Sequence, residues 1–436
     1  MNSYHLYSHT YPVSDFGQIK QKVLNWVQPF STFCLLDNHQ YQVPPHAEEC
    51  LVAAGARRVL SLPAGQALDA LHAFQQEKKS WLFGHLGYDL KNETESLSSA
   101  HHDRIGFPDL FFFEPEILIR LNEDEITIEA DNPDTVYQSV LITNVQEPVR
   151  GKTTLTIHQG FTRQEYLDVI QSLQRHISRG DCYEINFCQE FFAEKAGIDP
   201  LTVYQALSAV SPNPFSAFYR VQDRWLICAS PERYLKKTGT RLLSQPIKGT
   251  AGRNPGNPEE DRLNKEALFK SAKDRAENVM VVDLVRNDLS RVCKEGSVKV
   301  DELYGIYSFP QVHQMISTVS GELNGETTIS QILKAGFPMG SMTGAPKKRV
   351  MQLIEQYERT RRGIFSGAVG YIDPQGDFDF NVVIRSIMYN RQDDCLSFQA
   401  GSGITHYSVA EAEWEECMWK AAAIINVLEK TTGSLY

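Results

Sequence analysis

From residue 161 onward, stretches with the spacing of helices alternate with stretches that have the spacing of strands, and this alternation limits the possible folds. In 161–180, apolar residues recur at helical intervals, with Thr162 as the N-cap, Glu165 completing a capping box and Gly180 at the end. The next stretch, 182–192, places large apolar side chains at alternate positions, as a strand does. The sequence therefore predicts a helix that leads directly into a strand.

The same alternation continues to the C-terminus. Further strands are predicted at 224–230, 366–373 and 380–389, and further helices at roughly 259–293, at 345–360 and from Ser408, with Glu411 as its capping-box partner, to about Gly433. No strand is followed by the glycine pattern of a Rossmann or P-loop unit. Residues 1–155 are strand-rich, and 114–130 reads as two strands around a polar turn. We expect a mixed α/β fold.

Composition excludes several classes of function. The net charge of -11 makes nucleic acid and anionic membranes poor partners. No apolar stretch reaches the roughly 20 residues of a membrane-spanning helix, and the N-terminus lacks the pattern of a signal peptide. The eight cysteines show no paired spacing typical of zinc sites, so we expect free thiols in a reducing compartment. These features predict a soluble cytoplasmic protein.

Three glutamates are candidates for a metal site. Glu413 and Glu416 are three residues apart on one face of the last predicted helix, and Glu277 stands where an earlier helix becomes apolar. Carboxylates together with water and substrate oxygens suit Mg²⁺. For Glu413 and Glu416 alone, a solvated acidic face is the better explanation, because the sequence does not show whether the two helices meet.

Glycine-rich stretches and two isolated polar residues are further candidates. The stretch 338–350 opens a helix, and Gly401 and Gly403 would let the backbone approach a ligand, although such clusters are also common in turns. Arg385, in a predicted strand, suits either a structural salt bridge or a clamp on a substrate carboxylate. His313 alone is better explained as a buried, hydrogen-bonded histidine.

Taken together and in order, the motifs between about 160 and 430 resemble the chorismate-utilising enzymes. The motifs are "SPERYL", "PIKGTAGR", "DRAENVMVVDLVRNDLSRVC", "YSFPQVHQMIS", "FPMGSMTGAPKKRVMQLIEQYE", "GIFSGAVGYID", "VVIRSI", "AGSGIT" and "EAEWEE". The resemblance implies two large antiparallel sheets flanked by helices, with the active site between them. It implies that 1–155 is the strand-rich N-terminal part of one globular unit and that 156–436 is the chorismate-binding catalytic core.

The resemblance also implies roles for particular residues. Mg²⁺, binding the ring carboxylate of chorismate, would be held by Glu277 and Glu416, with Glu413 joining directly or through water. Glu232 of "SPER" would donate or accept a proton at the ring. The remaining positions would bind substrate: Tyr371 and Arg385 the enolpyruvyl carboxylate, Gly401 and Gly403 through their backbones, and Thr250, His313 and Ser341 the ring.

One residue predicts which product is formed. Most relatives, including those that make anthranilate, have Pro-Ile-Ala-Gly-Thr, whereas Lys248 gives the Pro-Ile-Lys-Gly-Thr form typical of members that aminate chorismate at C4. A lysine can attack C2 as hydroxide leaves C4, after which ammonia attacks C4 and expels the lysine. We expect 4-amino-4-deoxychorismate, a precursor of 4-aminobenzoate and folate. Amination at C2 to anthranilate and a non-catalytic chorismate-binding subunit remain the alternatives, and the retained Lys248 and Glu232 argue against the latter.

The resemblance implies a partner and leaves one position open. The sequence contains no segment that resembles a glutamine amidotransferase, so we expect a separate glutaminase subunit to supply ammonia. The family's tryptophan pocket contains Leu-Leu-Glu-Ser, and the departure at 35–38, "LLDN", argues against feedback inhibition by tryptophan. Members that use water as nucleophile carry a lysine where this chain has Glu184, which argues against that chemistry. Aminating members more often carry glutamine there, and the resemblance gives Glu184 no role.

Overall fold

The protein is described by a computed structural model that covers residues 6–41, 50–146 and 155–432. Within these ranges the chain forms 22 strands. They are β1 (Tyr7–Pro12), β2 (Thr32–Asp37), β3 (Cys50–Ala54), β4 (Arg58–Leu62), β5 (Leu82–Leu86), β6 (Leu110–Glu114), β7 (Ile117–Leu121), β8 (Glu125–Ala130), β9 (His158–Gln159), β10 (Glu184–Glu194), β11 (Phe215–Val221), β12 (Arg224–Ser230), β13 (Arg233–Thr238), β14 (Arg241–Gln245), β15 (Ile247–Gly252), β16 (Lys299–Ser308), β17 (Val312–Glu322), β18 (Gly344–Ala345), β19 (Ala368–Ile372), β20 (Phe378–Asn381), β21 (Ser386–Asn390) and β22 (Cys395–Ile404).

The same described ranges contain eleven α-helices and two short 3₁₀ turns. The helices are α1 (Phe16–Trp26), α2 (Ala67–Glu77), α3 (Lys91–Thr94), α4 (Pro133–Ile142), α5 (Arg163–Ser178), α6 (Pro200–Val210), α7 (Pro258–Lys270), α8 (Ala272–Ser290), α9 (Ile329–Gly336), α10 (Lys347–Tyr357) and α11 (Ala410–Thr432), and the 3₁₀ turns are Tyr88–Leu90 and Gly340–Met342. None of the helices in the described part of the chain has the length and apolar character needed to cross a membrane.

The strands form two large antiparallel sheets, which confirms the expected fold class. The first has the order β1-β8-β7-β3-β2-β11-β12-β21-β22-β10-β18, with β9 beside β10. The second has the order β15-β17-β14-β13-β20-β19-β5-β6-β4, with β16 beside β17. Strands from both halves of the sequence share each sheet, because β2 pairs with β11 and β5 pairs with β19.

Two hydrophobic cores lie on opposite sides of the first sheet. On β2, Cys34 belongs to a core that also contains residues of the second sheet and of α2, α8 and α9. Its neighbours Phe33 and Leu35 belong to the other core, with residues of α1, α5, α6, α10 and α11. Because both faces of the strand are covered, its side chains are apolar on both sides rather than on alternate positions only.

Two of the points at which the chain crosses between the sheets lie side by side. Between β12 of the first sheet and β13 of the second it passes through Pro231 and Glu232, and between β20 and β21 it returns through 382–385. The crossings are hydrogen-bonded to each other, since the Val382 N–H donates to the Glu232 carbonyl and the Ala229 N–H to the Arg385 carbonyl. They bring Glu232 and Arg385 together at the junction of the sheets.

A buried ion pair ties this junction to the first sheet. Glu358 and Arg362 are each about 1% exposed and are joined at 2.6 Å. Glu358 also accepts the Cys188 N–H of β10, while Arg362 donates to the carbonyls of Asn186 and Met342. Removing one partner of such a buried pair typically costs about 3–5 kcal/mol. This pair therefore holds β10 firmly against the Gly340–Met342 turn.

The predicted elements are mostly confirmed, with three corrections. The capping box of Thr162 and Glu165, the hairpin of β7 and β8 and the eight free cysteines are all present. The single helix predicted at 259–293 is wrong, because Ser271 breaks it and caps α8 through its side chain.

The other two corrections concern the ends of elements. The strand predicted at 380–389 is wrong, because 382–385 cross between the sheets and only the two ends are extended. The capping box predicted for Ser408 is wrong, because its hydroxyl accepts the Thr405 N–H and α11 begins at Ala410. The predicted helix end at Gly433 lies outside the described residues, as do 147–154 of the connector between the halves.

Candidate functional site

A lysine and a glutamate from different sheets meet at the junction. Lys248 of β15 donates to Glu184 of β10, with 2.5 Å between Nζ and Oε1. The side chains are 11% and 3% exposed, so water screens the pair little. Glu184 Oε2 is buried without a hydrogen-bond partner among the described residues. This ion pair therefore links the second sheet to the first.

Local backbone structure directs Lys248 toward this contact. The register of β15 against β17 shifts between Ile247 and Thr250, as at a β-bulge, which re-aims the side chains of the bulged strand. Gly249 has a φ of +92°, and a Cβ there would lie 2.9 Å from Cβ of Asp274. Only glycine fits this conformation and this space. The turn that the sequence shows around Lys248 therefore fixes the position of the ammonium.

Glu232 is the second candidate catalytic residue, and it is buried. Burial raises its pKa to about 7, although a hydrogen bond from Ser341 and the charges of Lys248 and Arg385 lower it. The pKa of Lys248 would be lowered by burial, but the carboxylates of Glu184, Glu277 and Glu232 outweigh that effect and hold it above its ordinary value. At neutral pH the site thus contains a resting ammonium and a carboxyl that holds a proton part of the time.

The two glycines of "AGSGIT" lie on β22, which pairs with β10. Gly401 pairs with Cys188 and Gly403 with Asn186. A Cβ on Gly403 would lie 2.6 Å from Glu184 Oε1 and 2.8 Å from Lys248 Nζ. The missing side chain at Gly403 therefore leaves room for the Lys248–Glu184 contact.

Two of the three predicted metal ligands face a common cation. Lys273 Nζ lies 3.9 Å from Glu277 Oε1 and 3.9 Å from Glu413 Oε1. Glu277 Oε1 is buried without a hydrogen-bond partner in the described ranges, and burial raises the pKa of this carboxyl to about 7 although Lys248 opposes the shift. Glu413 is buried and accepts a hydrogen bond from Ser402 at 2.5 Å. α8 and α11 thus do meet at these side chains.

Glu416 is paired with a different lysine. It is exposed and pairs with Lys420 at 2.7 Å. Burial of its carboxyl would raise its pKa, but Lys420 and Lys273 lower it below the usual value. In the described part of the chain no three carboxylate, histidine or cysteine side chains are grouped closely enough to hold a metal ion as they stand. The predicted set of three is therefore not assembled.

Arg385 and Tyr371, predicted to act together, lie on different elements, Arg385 between β20 and β21 and Tyr371 on β19. Arg385, with a φ of +50°, lies at the crossing beside Glu232. Its guanidinium forms no hydrogen bond or ion pair with any described residue. Tyr371 is on β19, paired with Asp379, which is six residues from Arg385. The Tyr371 ring contacts Trp81, and Tyr371 lines an open pocket together with 36–38. A joint clamp of Tyr371 and Arg385 on a substrate carboxylate stays a prediction.

The three residues predicted to line the ring pocket differ in their surroundings. Ser341 is buried and contacts Glu232. His313 is buried, with its two ring nitrogens at 2.9 Å from Ser308 Oγ and 3.2 Å from Asp261 Oδ1. Thr250 is exposed on β15. Ser341 therefore lies at the site, while His313 is held by protein partners and Thr250 points to solvent.

Sequence reasoning missed two parts of the site. It gave Glu184 no role, and it did not single out the Glu358–Arg362 pair. A signal for the pair is present, since the two charges are four residues apart, next to the apolar stretch 350–354. The signal for Glu184 is a carboxylate within an apolar strand, a position that is rarely occupied without a partner.

Comparison with known proteins identifies the class. Residues 33–426 match the family of chorismate binding enzymes, and the chain belongs to this family. It is 36% identical over 351 residues to aminodeoxychorismate synthase component 1 of Escherichia coli strain K12, covering 80% of this chain and 76% of that protein. It is 38% identical over 269 residues to anthranilate synthase component 1 of Aquifex aeolicus, covering 62% and 54%.

A solved structure of a related enzyme has a similar fold. Anthranilate synthase component I from Streptococcus pneumoniae TIGR4 superposes with a TM-score of 0.77 at 26% identity, over 88% of this chain and 94% of that one. The chain is thus an enzyme of the chorismate-binding family, and its relatives include proteins named aminodeoxychorismate synthase component 1 and anthranilate synthase component 1.

We expect Gly403→Ala to reduce turnover of chorismate by about 100-fold, because a new methyl group would displace the Lys248–Glu184 pair by an ångström or more. The initial rate of chorismate consumption measures the effect, and thermal unfolding checks that the variant folds. The matched control is Gly325→Ala, where a Cβ meets nothing within 4 Å. A wild-type rate in Gly403→Ala would show that the pair needs no such clearance.

We expect the stability of the wild type to fall, relative to Glu232→Gln, as the pH rises from about 5 to 8. The pKa of Glu232 is raised from 4.5 to about 7, so the folded protein binds this proton more tightly than the unfolded chain does. The stability contributed is present below the unfolded value and is lost as pH rises through about 7, on the order of 1–3 kcal/mol. Melting temperatures of both proteins across this range test the expectation, and parallel curves would contradict it.

Proposed function

We propose that this chain is the synthase component that aminates chorismate at C4 with ammonia to give 4-amino-4-deoxychorismate, towards 4-aminobenzoate. The observation that carries the proposal is the position of Lys248, whose ammonium is fixed beside buried Glu184 and within electrostatic range of Glu232. The aminodeoxychorismate synthase relative in Escherichia coli supports this chemistry for a chain of similar sequence. An ordinary surface lysine would be surrounded by solvent, whereas Lys248 is enclosed by carboxylates.

The reaction is a pair of displacements through a covalent intermediate. The neutral Lys248 amine bonds to ring C2, the ring double bond shifts, and the C4–O bond breaks. Glu232, whose pKa of about 7 leaves it partly protonated, gives its proton to the departing oxygen, which leaves as water. The nitrogen now attached to C2 returns a proton to Glu232, so that this carboxyl is back in its starting state.

In the second displacement ammonia bonds to C4, the double bond shifts back, and the bond between C2 and Lys248 breaks. Chorismate and ammonia thereby give 4-amino-4-deoxychorismate and water. Arg385 has no described partner and lies at the sheet junction beside Glu232, which suits a clamp on a substrate carboxylate. Burial lowers the pKa of Arg385, although Glu232 opposes the shift, so a bound carboxylate would stabilise its charge.

Mg²⁺ fits the carboxylates of α8 and α11. The unpartnered Glu277 Oε1 and the neighbouring Glu413 Oε1 already share the ammonium of Lys273, so a cation is accommodated between them. Glu277 and Glu413 would hold the ion, and Glu416 would join after leaving Lys420. Bound there, Mg²⁺ would offset the negative charge of the ring carboxylate of chorismate.

A separate glutaminase subunit would supply the ammonia. The Escherichia coli relative is named as component 1 of its enzyme, which supports a further component for this chain as well. Amination at C2 to anthranilate is the second candidate, and the Aquifex relative favours it. Lys248 argues against it, because a C2 amination needs no lysine that leaves again.

We expect the chain with chorismate, Mg²⁺ and an ammonium salt to form a product that becomes 4-aminobenzoate only after a lyase is added, while glutamine alone gives none. Lys248→Ala should reduce this product to background, because the first displacement is lost. Lys299→Ala, at an exposed position on β16, is the matched control. Chromatography of the products decides the matter, and anthranilate as the direct product of the wild type would contradict the proposal.

We expect Glu277→Gln to weaken Mg²⁺ binding in the presence of chorismate by at least about tenfold, because a charged ligand is replaced by a neutral one. Calorimetric titration measures the affinity without relying on turnover. Glu326→Gln, at an exposed position outside the site, serves as the control. Equal affinities in Glu277→Gln and wild type would rule out a ligand role for this residue.

A further inference from the structure

Glu184 makes the closest polar contact of Lys248, but Glu184 takes part in neither of the two displacements. For Lys248 to attack, its ammonium must first lose a proton. The surrounding carboxylates hold the pKa of Lys248 above its ordinary value, so solvent alone leaves the amine protonated at neutral pH. A proton acceptor within hydrogen-bond reach is therefore required.

The position of Glu184 suits that task better than the positions of the other carboxylates. Its Oε1 lies 2.5 Å from Lys248 Nζ, whereas Glu232, Glu277 and Glu416 act on Lys248 only from longer range. Its Oε2 has no described hydrogen-bond partner, so the anion is held by a single donor. Both side chains are nearly enclosed, and transfer of the proton removes two buried charges at once.

We propose that Glu184 is the base that takes the proton of Lys248 before the attack on C2 and returns it when Lys248 leaves. The inference rests on the covalent role of Lys248 proposed above. Glu184 accepts a proton from the ammonium and keeps it while Lys248 is bonded to C2. As the C2–N bond breaks, Glu184 gives this proton to the departing nitrogen, and the free amine then takes the surplus proton of the new C4 ammonium. Lys248, Glu184 and Glu232 all end as they began.

This assignment makes Glu184 a specific feature of the chain. A glutamine there could accept the same hydrogen bond from Lys248, but it could not take the proton. Since aminating relatives more often carry glutamine at this position, Glu184→Gln is expected to fold. The substitution therefore removes proton transfer while it preserves the contact.

The test is the rate at which wild type and Glu184→Gln form an adduct with chorismate and Mg²⁺, followed by intact mass between pH 6 and 9.5. Ammonia is left out because its own protonation would add a pH dependence. We expect the wild type to gain chorismate minus one water at a rate that falls above about pH 7, because Glu232 then loses the proton that it gives to the departing oxygen. Glu184→Gln should be about 100-fold slower at pH 7, and the ratio of the two rates should shrink as the pH rises, because Lys248 in the variant must lose its proton to solvent.

Two further variants separate proton transfer from packing. Glu184→Asp keeps a carboxylate and should keep the pH profile of the wild type at a reduced rate. Glu190→Gln, on the same strand but paired with Arg104 and Ser397, should behave as wild type. A wild-type rate and profile in Glu184→Gln, or equal losses in Glu184→Gln and Glu184→Asp, would overturn the role of Glu184 alone. Absence of any adduct on the wild type, while the C4 product still forms, would instead overturn the covalent step and the base role with it.

Discussion

The site depends on one ion pair between the two sheets, Lys248 with Glu184. Each partner comes from a strand whose position is fixed by the surrounding sheet, so the distance between them is set by how the sheets pack. The pair has little access to water, and its energy therefore depends strongly on enclosure and geometry. A lysine held in this way is positioned for attack and at the same time kept protonated, which is why a proton acceptor must be part of the site.

Three features of the backbone make the pair possible. The crossings at Glu232 and 382–385 carry the chain from one sheet to the other beside the pair. Gly249 allows the bulge that aims Lys248, and Gly403 leaves the space in which the two charges meet. The Glu358–Arg362 pair, although it contacts no predicted catalytic residue directly, holds β10 and thereby Glu184. The geometry of the site thus depends on residues that take no part in the proposed chemistry.

Local signals in the sequence predicted the local structure well. The capping box of Thr162 and Glu165 specifies the start of α5 within a few residues, and the turn between β7 and β8 specifies a hairpin. The two-sheet fold was predicted from the family resemblance that the order of motifs carries. The cap and the hairpin, by contrast, depend on short stretches of chain, where side-chain chemistry and backbone geometry are directly linked.

Features that depend on distant contacts were predicted less well. Ser271 divides a continuous helical pattern because its side chain caps α8, and 382–385 leave the strand pattern because the chain changes sheets there. The pairing of Glu184 with Lys248 joins residues 64 positions apart, and no local pattern encodes it.

The most direct measurement of the central claim is peptide mapping of the wild-type protein after incubation with chorismate and Mg²⁺ without ammonia. The account predicts a mass increase of chorismate minus one water on the peptide that contains Lys248, located at that side chain, and its disappearance when ammonium is added. Formation of the C4 product with Lys248 never modified, or modification of a different residue that ammonium does not release, would contradict it.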